Sequence, residues 1–408
     1  MFEEDLIMRE VRDLPFNPLT SSPEDLEQIG YKRITDGKIK EGLKHLIKAA
    51  KGYEEVGKLM DAARIYKYVG ISLLNKSKTP EKARPFLLKS ACMYLDLIEE
   101  EIERPEINLT KLEDFCLNVL EIFTLLNDEK NLKKYTREFA VMYEDLGNAY
   151  IDSDDIESAI AAYETAYRYY KFIGNIDGVR ITAERLIDLY GKLAEHYLEN
   201  EQYKEAGDTF FRLSYFVKDL FDYDSHFIEI LDTAGKNYER ASKEAYAEGD
   251  LDQTTERLLK AEYAYLLARN FNRAKLIGLN VSRMLYQLVS NYRSRGKFEK
   301  VGDKLLQLAE ALIGLGKIED GLEIYRTALE ESKGKIDYKV EIRTAILRYL
   351  AAKKKDTSIL ERVEQIEFYS KRADYLKALE IAEKMINEYP ELKEIKNKLY
   401  RAEGITTD

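Results

Sequence analysis

The chain has 408 residues with 64 Lys+Arg against 75 Asp+Glu, and its net charge of −11 argues against a general nucleic-acid binder or a polybasic membrane anchor. With 45% hydrophobic and 34% charged residues it is not a mostly disordered protein, and no apolar run approaches the ~20 residues that cross a bilayer. Two cysteines, Cys92 and Cys116, make no disulfide framework, and no basic-then-apolar leader opens the chain, so a reduced, cytoplasmic setting is expected.

From the N-terminus, residues 1–21 carry Phe2, Leu6, Ile7 and Met8 among acids, then Pro15 and Pro18, which make an extended segment rather than one helix. From 22 to 400 the text is helical: Ala, Leu, Glu, Lys and Tyr recur at three- and four-residue spacing, and no proline falls between Pro105 and Pro390. Breakers interrupt it at Gly37, Gly57, Ser77 to Pro80, Pro105 to Thr110, Asn127 to Asn131, Asp152 to Asp154 and Gly174 to Gly178. They continue at Asn200, Asp222 to Ser225, Gly249, Asn270 to Asn272, Gly296, Gly316, Lys333 to Lys335, Asp356 and Ala373. That spacing fits helices of four to five turns with tight connections, about 17 in all. Subdivisions are expected near 105–110 and 333–337, and residues 401–408 read as a C-terminal tail. Helix starts are expected at Ser22 with Asp25, at Thr79 before Pro80, and at Thr110 with Glu113.

The helices come in repeating pairs. The clearest unit runs Tyr143, Leu146, Gly147, Tyr150, Ala159, Tyr163, Ala166, where small residues let helices approach and tyrosines fill the space between. The order recurs as Tyr190, Leu193, Ala194, Tyr197, Ala206, Phe210, Leu213, and as Ala309, Leu312, Gly316, Gly321, Tyr325, Ala328. This pattern resembles the tetratricopeptide repeat, with Tyr143 where the family usually has tryptophan. The resemblance implies an all-α fold, a right-handed α-solenoid of antiparallel helical hairpins, each touching only its sequence neighbours. The stretch from Glu157 to Lys171, followed by Leu189 to Phe210, is similar to the central repeats of the soluble NSF-attachment proteins.

The resemblance implies a non-catalytic protein-interaction scaffold. The alternative is an attachment-protein-like adaptor that couples a helical cargo complex to an AAA+ disassembly ATPase, and a more distant one is a helical-repeat enzyme with a cryptic site. Catalytic, cofactor and metal motifs are not found. Gly52, Gly57 and Lys58 have phosphate-loop spacing, but Leu59 replaces the magnesium-binding hydroxyl and no strand precedes them. Asp222, Asp224 and His226 alternate as metal ligands can, yet read as a helix-start loop. Cys92 and Cys116 read as buried helical cysteines, and Lys353 to Lys355 as a solvated loop. Plentiful Lys and Glu with few His and Cys resemble thermophile composition.

In the tetratricopeptide pattern the first helix of each pair lines the concave face. Projected onto this chain, it points Glu144, Asn148, Ile151 and Asp152, then Asp188, Glu195, Leu198 and Glu199, then Asp303 and Glu310 into the groove. Such a trough is acidic with apolar spots, which suits a basic amphipathic peptide or helix as partner. Nucleic acid and stable membrane insertion are not expected.

Overall fold

The structure is a computed structural model that describes residues 22–77, 80–221, 225–332 and 335–405. The extended segment 1–21, the cap at Thr79, Asp222 and Asp224, and the last three residues of the tail lie outside the described residues.

The described residues form eighteen α-helices and one short 3-10 turn, with no strand. They pack as two compact units that divide between Thr182 and Ala183. The sequence does not mark this division, because it falls inside an unbroken helix. The first unit holds α1 (Pro23–Thr35), α2 (Ile39–Glu55), α3 (Leu59–Ser77), α4 (Pro80–Ile102), α5 (Leu109–Leu125), α6 (Glu129–Asp152) and α7 (Ile156–Phe172). Helix α8 (Ile176–Glu199) carries the division. The second unit continues with α9 (Tyr203–Phe221), α10 (Ser225–Ala247), α11 (Leu251–Leu267), α12 (Phe271–Ser294), α13 (Phe298–Gly314), α14 (Ile318–Ser332), α15 (Ile336–Lys354), α16 (Thr357–Lys371) and α17 (Tyr375–Glu388). Pro390 removes a helical donor, and the 3-10 turn Pro390–Leu392 leads into α18 (Lys393–Ala402).

Closely packed pairs such as α1/α2, α3/α4, α6/α7, α10/α11 and α13/α14 are consecutive hairpins. The array is a helical repeat built of such hairpins. Its turns pair a left-handed residue with a capping acid: Asn127 (φ 49°) precedes Asp128, Asp154 (φ 62°) precedes Asp155, and Gly249 (φ 79°) precedes Asp250. Each of these aspartates accepts the amide of the residue three further on. Ser22 and Asp25 form the expected reciprocal box, at 3.1 and 3.3 Å. The start at Thr110 is corrected: Asn108 is the cap, accepting the Lys111 amide at 3.0 Å. Thr110 already lies inside the first turn.

Tyrosine ties these helices together in a recurring way. An acid on one helix accepts the hydroxyl of a tyrosine on the next and pairs with a cation on the helix after that. In the first unit Glu27 accepts Tyr53 at 2.9 Å and meets Arg64 at 2.7 Å. Glu54 accepts Tyr66 and meets Lys89 at 2.7 Å. In the second unit Asp208 takes Tyr238 at 2.7 Å and Lys260 at 2.9 Å, and Glu239 takes Tyr265 at 2.7 Å and the Arg273 Nε at 2.6 Å. Asp252 takes Tyr292, and Lys304 at 2.8 Å. Two of these rings rest on glycines of the helix that supplies the acid. A Cβ at Gly207 would lie 2.8 Å from the Tyr238 ring, and one at Gly235 would lie 2.8 Å from that of Tyr265. Ala159 and Ala206 are likewise fully buried.

The second unit departs from neighbour-only stacking. Arg212 and Lys218 on α9 both reach Glu364 on α16 at 3.6 Å, so helices far apart in sequence meet. The expected tail at 401–408 also starts later, because Glu403 is buried. Its carboxylate accepts Arg343 of α15 at 2.5 and 3.0 Å and the Tyr325 hydroxyl at 2.9 Å, while Arg343 also meets Glu383 at 2.6 Å. Cys92 corrects its own expectation too: it is helical but exposed, on the outer side of α4 between buried Ala91 and Met93.

Glu239→Ala strands a buried tyrosine hydroxyl and removes the Arg273 pair, and should lower stability by roughly 1–3 kcal/mol in urea denaturation. Glu403→Ala, which leaves Arg343 buried with one carboxylate instead of two, should cost about 3–5 kcal/mol. An unchanged midpoint in either variant contradicts the corresponding network.

Candidate binding surfaces

In the first unit Glu144, Asn148, Ile151 and Asp152 form one stripe along α6, but its halves differ. Glu144 accepts the Tyr170 hydroxyl at 2.6 Å and Asn148 accepts that of Tyr163 at 2.8 Å, both from α7. The Tyr163 ring lies where a Cβ on Gly147 would come within 2.7 Å of it. Ile151, 38% exposed, and Asp152 face water at the end of the helix. On α8, Asp188, Glu195 and Glu199 are exposed and Leu198 is half-buried, with Asp188 paired to Lys192 on its own helix at 2.8 Å. On α13, Asp303 accepts the Tyr338 hydroxyl of α15 and meets Lys335 at 3.5 Å. Glu310, two turns on, faces Glu341 and Arg348, also on α15.

The open surface of α6 lies about one residue around the helix from the projected stripe. Lys134, Arg137, Glu138, Val141, Met142, Asp145 and Leu146, with Ile102 at the end of α4, line a cleft of about 830 Å3. Its floor is apolar, Val141 being 44% exposed, and its rim carries both signs of charge. The projection missed this surface because it placed the tyrosine-bonded side of α6 outward. The signal that could have found it is the tyrosine run at Tyr163, Tyr167, Tyr169 and Tyr170 on α7, whose hydroxyls need acceptors when buried.

The inner side of the second unit is polar. Arg348 meets Glu367 at 2.6 Å and lies 4.4 Å from the centre of the Tyr263 ring. The Glu262 side chain is buried against α12 and α13, where Gly278 and Gly314 leave room for its carboxyl; a Cβ on Gly314 would stand 2.6 Å from Oε1. Burial, then the nearby Glu310, holds the Glu262 carboxyl well above the usual range. Glu310 is pushed up to about 8, by burial first and then by Glu341. Glu341 is raised to about 7 by loss of bulk water and then by Asp337. Glu341 itself is exposed, whereas Glu310 is half-buried. Such carboxyls can donate or accept near neutral pH, and they make this side of α13 and α15 less acidic than its sequence.

The remaining sequence candidates resolve into structural roles. Gly57 (φ 74°) is a turn residue, and Lys58 pairs with Glu24 at 2.6 Å. Lys353 and Lys354 end α15 rather than forming a loop; Lys354 meets Glu391. The Cys116 thiol is buried, and burial raises it far above its ordinary value. Among the described residues, no group of three or more His, Cys, Asp or Glu side chains is arranged to hold a metal ion. No described helix is long and apolar enough to cross a membrane.

No protein-family model and no curated protein matches the chain. Among solved structures it is similar to a circular tandem repeat protein of novel repeat topology, at 14% identity over 98% of this chain and 93% of that one, with a TM-score of 0.28. It is also similar to Naa15/Naa10 bound to HypK-THB, at 14% identity over 99% and 76% with a TM-score of 0.23. The TPR domain of P58(IPK) matches at 14% identity over 94% and 97%, with a TM-score of 0.17. The fold therefore stands on the helix packing described above.

Carboxyls that hold a proton more tightly folded than unfolded stabilise the fold below their ordinary value of 4.5 and lose that contribution as pH rises through 7 to 8. Thermal stability should therefore fall between pH 5 and pH 8, windows set by Glu310 and Glu341. Glu310→Gln, which cannot ionise, should flatten the decline in melting scans across that range. A decline of unaltered slope in the variant would assign it to other groups.

Proposed function

We propose that the chain is a non-catalytic protein-interaction scaffold whose first unit takes an amphipathic helix in the α4/α6 cleft. The observation that supports this reading is the cleft itself: an apolar floor at Ile102, Val141, Met142 and Leu146 under a charged rim, about 830 Å3 in volume. An exposed apolar strip rimmed by charge is what a helical partner covers with its own apolar face. Net charge of −11 favours a basic partner by long-range steering, and Glu138, Asp145 and Asp152 are exposed acids of the same unit available for that role. In this reading Glu144 and Asn148 act inside the α6/α7 hairpin, and the recognising side chains are those one step around α6. The partner gains its affinity from the apolar floor and its rate of arrival from the acids.

Panning a displayed library of helical peptides tests the proposal. Basic, amphipathic sequences should be enriched, and Val141→Glu should weaken the best of them at least tenfold. Asp152→Lys, outside the cleft lining, should slow association and reduce its salt dependence while leaving dissociation nearly unchanged. If nothing amphipathic is enriched, or binding ignores Val141→Glu, the cleft is not the docking surface.

A further inference from the structure

A second cavity, of about 440 Å3, opens in the second unit where the end of α11, the first turn of α12, the end of α13 and the last turns of α15 converge. That volume lies in the roughly 300–1,000 Å3 range of small-molecule sites. Its walls are apolar and aromatic at Leu266, Phe271 and Tyr349, and every charged group lining it is a cation: Arg269, Lys275 and Lys353.

Basic residues close by are neutralised, Arg273 by Glu239 and Lys354 by Glu391. Among the described residues, Arg269, Lys275 and Lys353 have no carboxylate partner, and the buried Nε of Arg269 has no hydrogen-bond acceptor. A buried, unsatisfied donor costs the fold stability unless something supplies its acceptor. Helix α12 adds to the imbalance. Its first turn holds no acid and ends beside Lys275, so the positive end of the helix reinforces a cation instead of offsetting one. Three like charges around one concavity repel each other, and an anion in their midst relieves that repulsion.

We propose that this cavity binds a small organic anion with an aromatic or apolar body. The anionic group, a carboxylate, phosphate or sulfonate, sits among Arg269, Lys275 and Lys353, whose charges it offsets. The body lies against Phe271, which is 48% exposed in the unliganded chain, and against the Tyr349 ring. Lys353, though exposed, already lies 5.9 Å from the centre of that ring, which keeps its charge beside the cavity. The site is independent of the helix-binding cleft and belongs to the other unit.

The dye 8-anilino-1-naphthalenesulfonate, an aromatic sulfonate, is the probe, and N-phenyl-1-naphthylamine, which has a like body without the charge, is the control. Fluorescence titration of the full chain should show one saturable sulfonate site, weakened by salt and at least tenfold tighter than the uncharged dye. Arg269→Gln and Phe271→Ala should each weaken it at least tenfold. Lys353→Gln alters an exposed side chain, so its effect reads the site even if Arg269→Gln disturbs the fold, and it should weaken binding about threefold or more. Equal affinity for the two dyes, or sulfonate binding unchanged in Lys353→Gln with the melting temperature preserved, would overturn the proposal.

Discussion

The structure depends on a three-helix contact in which a carboxylate collects a tyrosine hydroxyl from the following helix and a cation from the helix after it. Hydrophobic burial is non-directional and by itself discriminates weakly between neighbouring helix registers. A hydroxyl and a cationic group that must reach the same carboxylate fix both rotation and rise. Glu27, Glu54, Asp208, Glu239 and Asp252 each bind three successive helices in this way. Burial, then the neighbouring acid, keeps the Tyr238 and Tyr265 protons on the phenol, so these remain donors. Ring and hydroxyl do separate work: one fills the space over a glycine, the other sets the register.

Much of this was legible in the sequence. Three-residue spacing, the proline-free middle and the breaker positions fixed nearly every helix and turn, because those features act within a few residues. The repeat positions Tyr143, Ala159, Tyr163 and Ala206 are buried as their order implied. What the sequence concealed is side-chain pairing across dozens of residues. Glu144 and Asn148 carry the polarity of groove residues, yet their oxygens serve tyrosines on α7; nothing local distinguishes an acid facing a phenol from one facing water. One trace was visible: Gly147 and Asn148, Gly207 and Asp208, and Gly302 and Asp303 are each a glycine followed by an acceptor, and each acceptor receives a tyrosine. The basic cavity was hidden for a related reason, since Arg269, Lys275, Lys353, Phe271 and Tyr349 come from three helix ends.

The second unit also shows how a repeat array acquires long-range closure without a large apolar interface. Lys218, nearly inaccessible, meets Asp219 at 3.2 Å as well as Glu364. Arg343 is equally buried between Glu403 and Glu383. Buried ions of this kind add little net stability compared with an apolar contact, but a mispaired arrangement is heavily penalised. They therefore act chiefly on specificity: the array closes with α16 against α9 and with Glu403 under α15, or it leaves charges stranded.

Thirty tyrosines and no tryptophan also give the protein a particular optical character. An excited phenol is a far stronger acid than a ground-state one, and a tyrosine donating to a carboxylate loses its emission by passing that proton along the hydrogen bond. The tyrosines that donate to carboxylates on a neighbouring helix should thus emit weakly in the folded chain, and parting a hairpin that one of them bridges should restore its emission. Local opening of this array reports itself, with no label attached.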